Sequence, residues 1–277
     1  MSTTPTTLPP VAPAHAGITS AQQVTLPRVI RSEWIKLRSV RSTVVTLGFA
    51  GIAVAAFGVL ISVLGSGNAI GGDGEVVADP AGNSLFGTNV AQLVLGVLGA
   101  LLITSEYSTG LIRATLTAVP KRLPVLWAKV VVVTAVTFAM MVAAVSVAFF
   151  AGQALYGGAG AGASLLDPGV PRALLGAAVL PTAIAVMGVA LGALLRDTAT
   201  AVGTLVGTLF IVPLLLQTLG GVWADLAAYL PSEAGQAMST LVEDPERLSP
   251  LAGFVVVVGW VGALLGGAAI ALRRRDA

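Results

Sequence analysis

Six stretches of this chain, roughly residues 44–64, 86–104, 130–151, 173–195, 200–220 and 251–272, contain no Asp, Glu, Lys, Arg or His. Each is close to the 20 or so residues a helix needs to cross about 30 Å of hydrocarbon. Lipid accepts such an apolar surface only when every backbone N–H and C=O is bonded within its own helix or within a closed barrel. The runs are too long and too continuous for the alternating strands of a barrel, so they select helices. Composition agrees, because only 10% of residues are charged and 56% are hydrophobic, whereas a soluble domain carries roughly a quarter charged residues. The expected fold is an all-α polytopic membrane protein with six transmembrane helices.

Basic residues beside the spans set orientation. Five of them, Arg28, Arg31, Lys36, Arg38 and Arg41, crowd in front of the first span. With both termini cytoplasmic, only Arg172 and Arg247 of the fifteen basic residues fall on the outer side. Of the thirteen acidic residues, only Glu33, Glu106, Asp197 and Asp276 share the inner side. The net charge of +2 is therefore topological, and no nucleic-acid partner is expected. Residues 1–27 are rich in Thr and Pro and lack the apolar core of a signal peptide, which points to a disordered cytoplasmic tail. Residues 28–277 form the six-span domain.

The basic segment itself has helical periodicity. At 100° per residue, Leu26, Ile30, Trp34 and Leu37 fall within about 80° of one another, with Arg28, Arg31 and Arg38 opposite. This predicts an amphipathic interfacial helix anchored by Trp34, lying on the membrane lipids. Glu33 falls in the middle of the apolar face, where it either pairs with Lys36 or reaches protein instead of lipid.

Several chemistries are excluded. There is no cysteine and a single histidine, His15, so disulfides, thiolate sites and histidine metal clusters do not arise, and no metal site is expected. Lys36, Lys121 and Lys129 are the only lysines, and none follows glycine, which removes a phosphate-binding loop of the Gly-Lys-Ser/Thr kind. The spans hold only neutral polar groups, among them Gln92, Gln153, Thr182, Thr204, Thr208 and Gln217, so nothing within the membrane takes up and releases a coupling ion. Pro181 and Pro213 should bend the fourth and fifth spans, as gate hinges or as static kinks. The pairs Gly188/Gly192, Gly203/Gly207 and Gly262/Gly266 allow close helix approach.

The longest inner connection reads SEYSTGLIRATLTAVPKRLPVLWAK, residues 105–129. Gly110 to Val119 can form a short surface helix ended by Pro120, followed by Lys121 and Arg122. Glu106 and Arg113 can pair with each other or with a partner. Trp223, Leu226, Tyr229 and Leu230 ahead of Pro231 predict a further short helix in the outer connection.

Together, SEWIKLRSVRST before the first span, EYSTGLIRATLTAVPKR after the second, and six spans in about 250 residues resemble the membrane (permease) subunits of ATP-binding-cassette transporters of the type-2 exporter class. The resemblance implies a dimer, of identical or paralogous permeases, and a separate cytoplasmic ATPase that binds ATP and Mg, so that this chain holds no cofactor and is not itself an enzyme. It implies that residues 105–129 hold the coupling helix, with Glu106, Gly110, Arg113, Pro120, Lys121 and Arg122 facing the ATPase. Residues 26–41, with Glu33, Trp34, Lys36, Arg38 and Arg41, become the elbow helix. The substrate pathway falls to spans two and five, with Gln92, Thr204, Thr208 and Gln217 as candidates. An apolar path of this kind suits export of a hydrophobic or amphiphilic compound such as a drug across the bacterial plasma membrane. The alternatives are a non-transporting scaffold or resistance factor, and an ion-coupled carrier.

Overall fold

The computed structural model describes residues 25–66, 79–112, 123–158, 162–241 and 247–274. The tail ahead of Thr25, including His15, lies outside them, as do Arg113, Pro120, Lys121 and Arg122 and all of the expected surface helix beyond Ile112. Every regular element among the described residues is helical. The order is α1 (Leu26–Ser39), α2 (Arg41–Ser66), α3 (Pro80–Leu85), α4 (Thr88–Ser108), α5 (Leu123–Gly158), α6 (Val170–Leu195), α7 (Thr198–Val206), a π-helical turn (Gly207–Ile211), α8 (Val212–Leu219), α9 (Val222–Ala227), α10 (Pro231–Gln236) and α11 (Pro250–Arg274). Six units are long and apolar enough to cross a membrane: α2, α3 with α4, α5, α6, α7 through α8, and α11. We call them spans one to six.

The helices outrun the uncharged stretches. Span three starts at Leu123 and not at Val130, because Pro124 is tolerated in a first turn whose N–H groups lack partners anyway. Its first two turns therefore carry Lys129 inside the helix. Span two continues to Ser108, past Glu106, and ends at Gly110, whose φ of 74° is the left-handed cap that glycine adopts without strain. In span five the ring of Pro213 would crowd the preceding turn. The helix widens just before it, where the Val212 N–H bonds the carbonyl of Gly207, five residues back. Span four runs through Pro181 without a break.

Span four is the hub. Within its most apolar stretch 78% of residues are buried, against 22% in spans one and five. Between lipid-exposed helices the hydrophobic effect supplies little, since tails are as apolar as leucine, so close packing has to hold them. A Cβ at Gly188 would strike the carbonyl oxygen of Gly96, one at Gly99 that of Ala185, and one at Gly192 would sit 2.9 Å from that of Ala100. Spans two and four thus meet backbone to backbone. A Cβ added at Gly203, Gly207, Gly262 or Gly266 would meet nothing within 4 Å among the described residues, so these two pairs make no such close approach there.

At the end of the bundle away from α1, α3 is wedged against spans one and three. Asp79 caps it by accepting from the Gly82 N–H at 2.9 Å. Gln153 donates to the Pro80 carbonyl at 3.0 Å and to Ser84 Oγ at 3.1 Å, and Asn83 donates to the Tyr156 hydroxyl at 2.7 Å. Arg172 donates to the carbonyls of Met238 and Thr240, closing the chain after α10 against span four. The short helix expected before Pro231 is α9, which leaves Trp223 and Tyr229 exposed.

Gly188→Ala should cost about 1–3 kcal/mol by overpacking, whereas Gly203→Ala should be neutral or stabilising by up to about 1 kcal/mol, since a helical glycine gains a methyl in open space. Thermal unfolding of the two variants in detergent measures the contrast.

Candidate functional site

Helix α1 starts with Pro27 in its first turn and breaks at Val40, whose extended backbone (φ −86°, ψ 106°) lets α2 restart at Arg41. Its buried residues are Val29, Glu33 and Leu37. This face is rotated by roughly 50° from the Leu26–Ile30–Trp34–Leu37 stripe, at 100° per residue, and Glu33 is its centre. Val29 packs with Val125 and Ala128 of span three. Leu26 (48% exposed) and Trp34 (46%) are left facing away from the protein, free to meet lipid.

Glu33 is 3% exposed and sits within a cluster of four charges. Lys129 of span three donates to Glu33 Oε2 at 2.6 Å, to Glu106 Oε1 of span two at 2.9 Å and to the Leu102 carbonyl at 3.2 Å. All three N–H groups of the buried ammonium are thereby used. Lys36 donates to Glu33 Oε1 at 2.7 Å and to Glu106 Oε1 at 3.2 Å, with its side chain 42% exposed. Both readings of Glu33 hold together, since it pairs with Lys36 one turn on and reaches across to span three. Glu106 Oε1 faces the two lysines, and its Oε2 has no hydrogen-bond partner among the described residues; pairing with Arg113 falls outside them.

Burial pushes the Glu33 carboxyl up, but the ammonium groups of Lys129 and Lys36 outweigh this and hold it below its ordinary value of 4.5. Burial pushes Lys36 down, and Glu33 and Glu106 outweigh it in turn and hold it above 10.5. The cluster lines a cavity of about 500 Å³. Its walls are Leu37 and Val40 at the end of the elbow, Leu98, Leu101 and Leu102 of span two, and Val132 and Val133 of span three.

The other expected residues are dispersed. Gln92 is 1% exposed inside the bundle; Thr204 and Gln217 are exposed on span five, and Thr208 donates back to the Thr204 carbonyl at 2.8 Å. None of these four lines the cavity. Arg38 and Arg41 are exposed.

Sequence reasoning treated Lys129 as a loop charge. The apolar residues LPVLWA before it were the available signal that it lies within a helix. It also passed over Arg196. This residue ends span four with φ 60° and ψ 5°, the single non-glycine residue with positive φ among those described, a conformation costing about 1–2 kcal/mol. Its guanidinium lies 5.3 Å from the ring centroid of Tyr107, the neighbour of Glu106, and Thr198 Oγ1 donates to Thr104 Oγ1 at 2.9 Å. No sequence period announces either contact.

Two tests follow from the cluster. Glu33 stabilises the fold fully above pH 4.5 and loses this as pH falls through its lowered folded pKa; Lys36 does so fully below 10.5 and loses it as pH rises through its raised one. Thermal stability should therefore be flat between these limits and decline beyond each, with Glu33→Gln weakening the acid limb. Lys129→Met leaves the buried Glu33 and Glu106 sharing the single cation Lys36 among the described residues and should cost about 3–5 kcal/mol. Pairing it with Glu33→Gln should cost less than the sum of the single changes.

Comparison with known proteins agrees with the helical bundle. A family profile described as "ABC-2 family transporter protein" matches residues 29–214, from the elbow through the middle of span five. No curated protein matches the chain significantly. Membrane proteins of this family are in general non-catalytic subunits that work with a separate ABC ATPase. With six membrane-crossing units and this match over more than half its length, the chain is a multi-pass membrane protein and belongs to the ABC-2 transporter family.

Proposed function

We propose that the chain is the permease subunit of an ATP-driven exporter in the bacterial plasma membrane, with both termini cytoplasmic. The observation that carries the coupling part of this reading is the four-charge cluster. Glu106 and Lys129 stand at the two ends of the 105–129 loop, and Glu33 and Lys36 join them to the elbow. A push on that loop from a bound ATPase would move spans two and three and the elbow as one piece. Arg113, Pro120, Lys121 and Arg122 are the residues of the loop offered to the ATPase, Gly110 lets the chain leave span two, and Glu106 acts from behind, holding the loop's base.

The charged residues in the spans do not favour an ion-coupled carrier, because they sit at the span ends and pair with one another. Hydrophobic or amphiphilic cargo suits the apolar spans, and drug resistance is one outcome of exporting it. Spans two and five remain the proposed pathway, in a dimer. Thr204 and Gln217 are exposed on span five and could meet a second permease copy, while Gln92 is buried inside the bundle and would join a pathway only after a shift between spans two and four.

Co-purification from membranes with a candidate ABC ATPase, followed by ATP hydrolysis assays, tests the reading. Arg113→Ala combined with Lys121→Ala and Arg122→Ala should weaken ATPase association at least about tenfold, the equivalent of roughly 1.4 kcal/mol. Glu106→Ala should leave the partner surface in place yet loosen the loop's base. Wild-type chain that never retains an ATPase would instead support the scaffold alternative.

A further inference from the structure

Span two ends in two different attachments. On one side Glu106 joins the elbow and span three through Lys36 and Lys129. On another, Tyr107 and Thr104 hold the turn between spans four and five through Arg196 and Thr198. That turn is short and tightly organised. The Arg196 N–H closes span four on the Gly192 carbonyl at 2.9 Å. Asp197 then caps the start of span five, accepting from the Thr200 N–H at 2.9 Å and from its hydroxyl at 3.0 Å, hydrogen bonds that hold the Asp197 carboxyl below its ordinary range.

The arrangement is unusual in its choice of residue. A glycine would take the left-handed conformation at position 196 without strain. Arginine takes it with strain, and sparsely populated backbone of this kind persists where surrounding contacts over-determine it. One contact that the arginine makes is with the aromatic ring of Tyr107, at a distance where a cation is attracted by the ring face.

We propose that Arg196 is a positioning residue for coupling: it fixes the turn between spans four and five to the last turns of span two, so that displacement of the 105–129 loop reaches span five. This rests on the reading that the loop receives the ATPase stroke. The inner half of span five, Thr198–Val206, packs on spans two and four and follows that displacement. The outer half, Val212–Leu219, lies beyond the π-helical turn, packs chiefly on α9 and buries only Pro213, so it can change its angle where the helix is already widened.

The absence of cysteine makes the test direct. Spin labels at Val147→Cys in span three and Leu214→Cys in span five, both on exposed side chains, report one intramolecular distance by pulsed electron resonance. The labelled chain is diluted in unlabelled chain, in nanodiscs with its ATPase, with and without ATP plus vanadate. The background chain should show a nucleotide-dependent shift in this distance. Arg196→Ala and Tyr107→Leu should abolish at least half of it while the ATPase still co-purifies. Tyr107→Phe, which keeps the ring, should retain it. Arg196→Gly removes the strain as well as the contact, so it should be at least as heat-stable as Arg196→Ala and yet equally deficient in the shift; a merely structural residue would not give this split. A full shift in Arg196→Gly, or equal loss in Tyr107→Phe and Tyr107→Leu, overturns the proposal. If no ATPase joins the background chain, the functional reading fails and this proposal falls with it. If the ATPase joins and all four variants respond fully, only the role of Arg196 fails.

Discussion

An ammonium group buried at the end of a membrane helix is stable only if every one of its N–H groups finds an acceptor and its charge finds a counter-charge. Lys129 meets both conditions with Glu33, Glu106 and the Leu102 carbonyl. Much of the architecture at this end follows from that requirement. The elbow must lie across spans two and three to deliver Glu33, span two must stay helical past Thr104 to deliver Glu106, and Lys36 must bridge both carboxylates to keep the cluster neutral. Replacing such a cluster with apolar residues need not destabilise a protein, so its presence speaks for fixed geometry more than for stability.

The opposite end and the centre are organised by different means. Where the chain needs two helices at backbone contact, as between spans two and four, it uses Gly96, Gly99, Gly188 and Gly192. At the end with α3 it uses the neutral groups of Gln153, Asn83, Ser84 and Tyr156 together with single charges, Asp79 and Arg172, that bond to backbone. The four-charge cluster thus lies at the α1 end, and the glycine-mediated contact of spans two and four lies between the two ends. Spans two and four are held at backbone contact, while among the described residues span five packs on them through Thr198–Val206 and buries only Pro213 beyond the π-helical turn.

The legibility of these features from sequence varied with their range. Six spans, an amphipathic helix ahead of the first and the anomaly of Glu33 were all visible, because hydropathy and helical period act within a single segment. The direction of the elbow was visible only approximately. Its protein-facing side centres on Glu33, since the partner charges on spans two and three outweigh the apolar stripe that a wheel displays. Of three glycine pairs with the same spacing, only Gly188/Gly192 makes a close approach among the described residues, and spacing could not choose among them. Lys129 and Arg196 were counted as topological charges because nothing local distinguishes a basic residue that snorkels from one that is captured.

The sequence by itself determined that this chain crosses a membrane six times as helices, because in hydrocarbon a segment of that length and polarity has no other way to satisfy its backbone. Tertiary structure alone decided which charges meet. Glu33, Glu106 and Lys129 lie 96 and 23 residues apart along the chain, and their encounter depends on how the elbow folds back over two helices that the sequence leaves free to rotate. Burial then converts that encounter from an exposed pairing worth little into one that fixes the position of three helices.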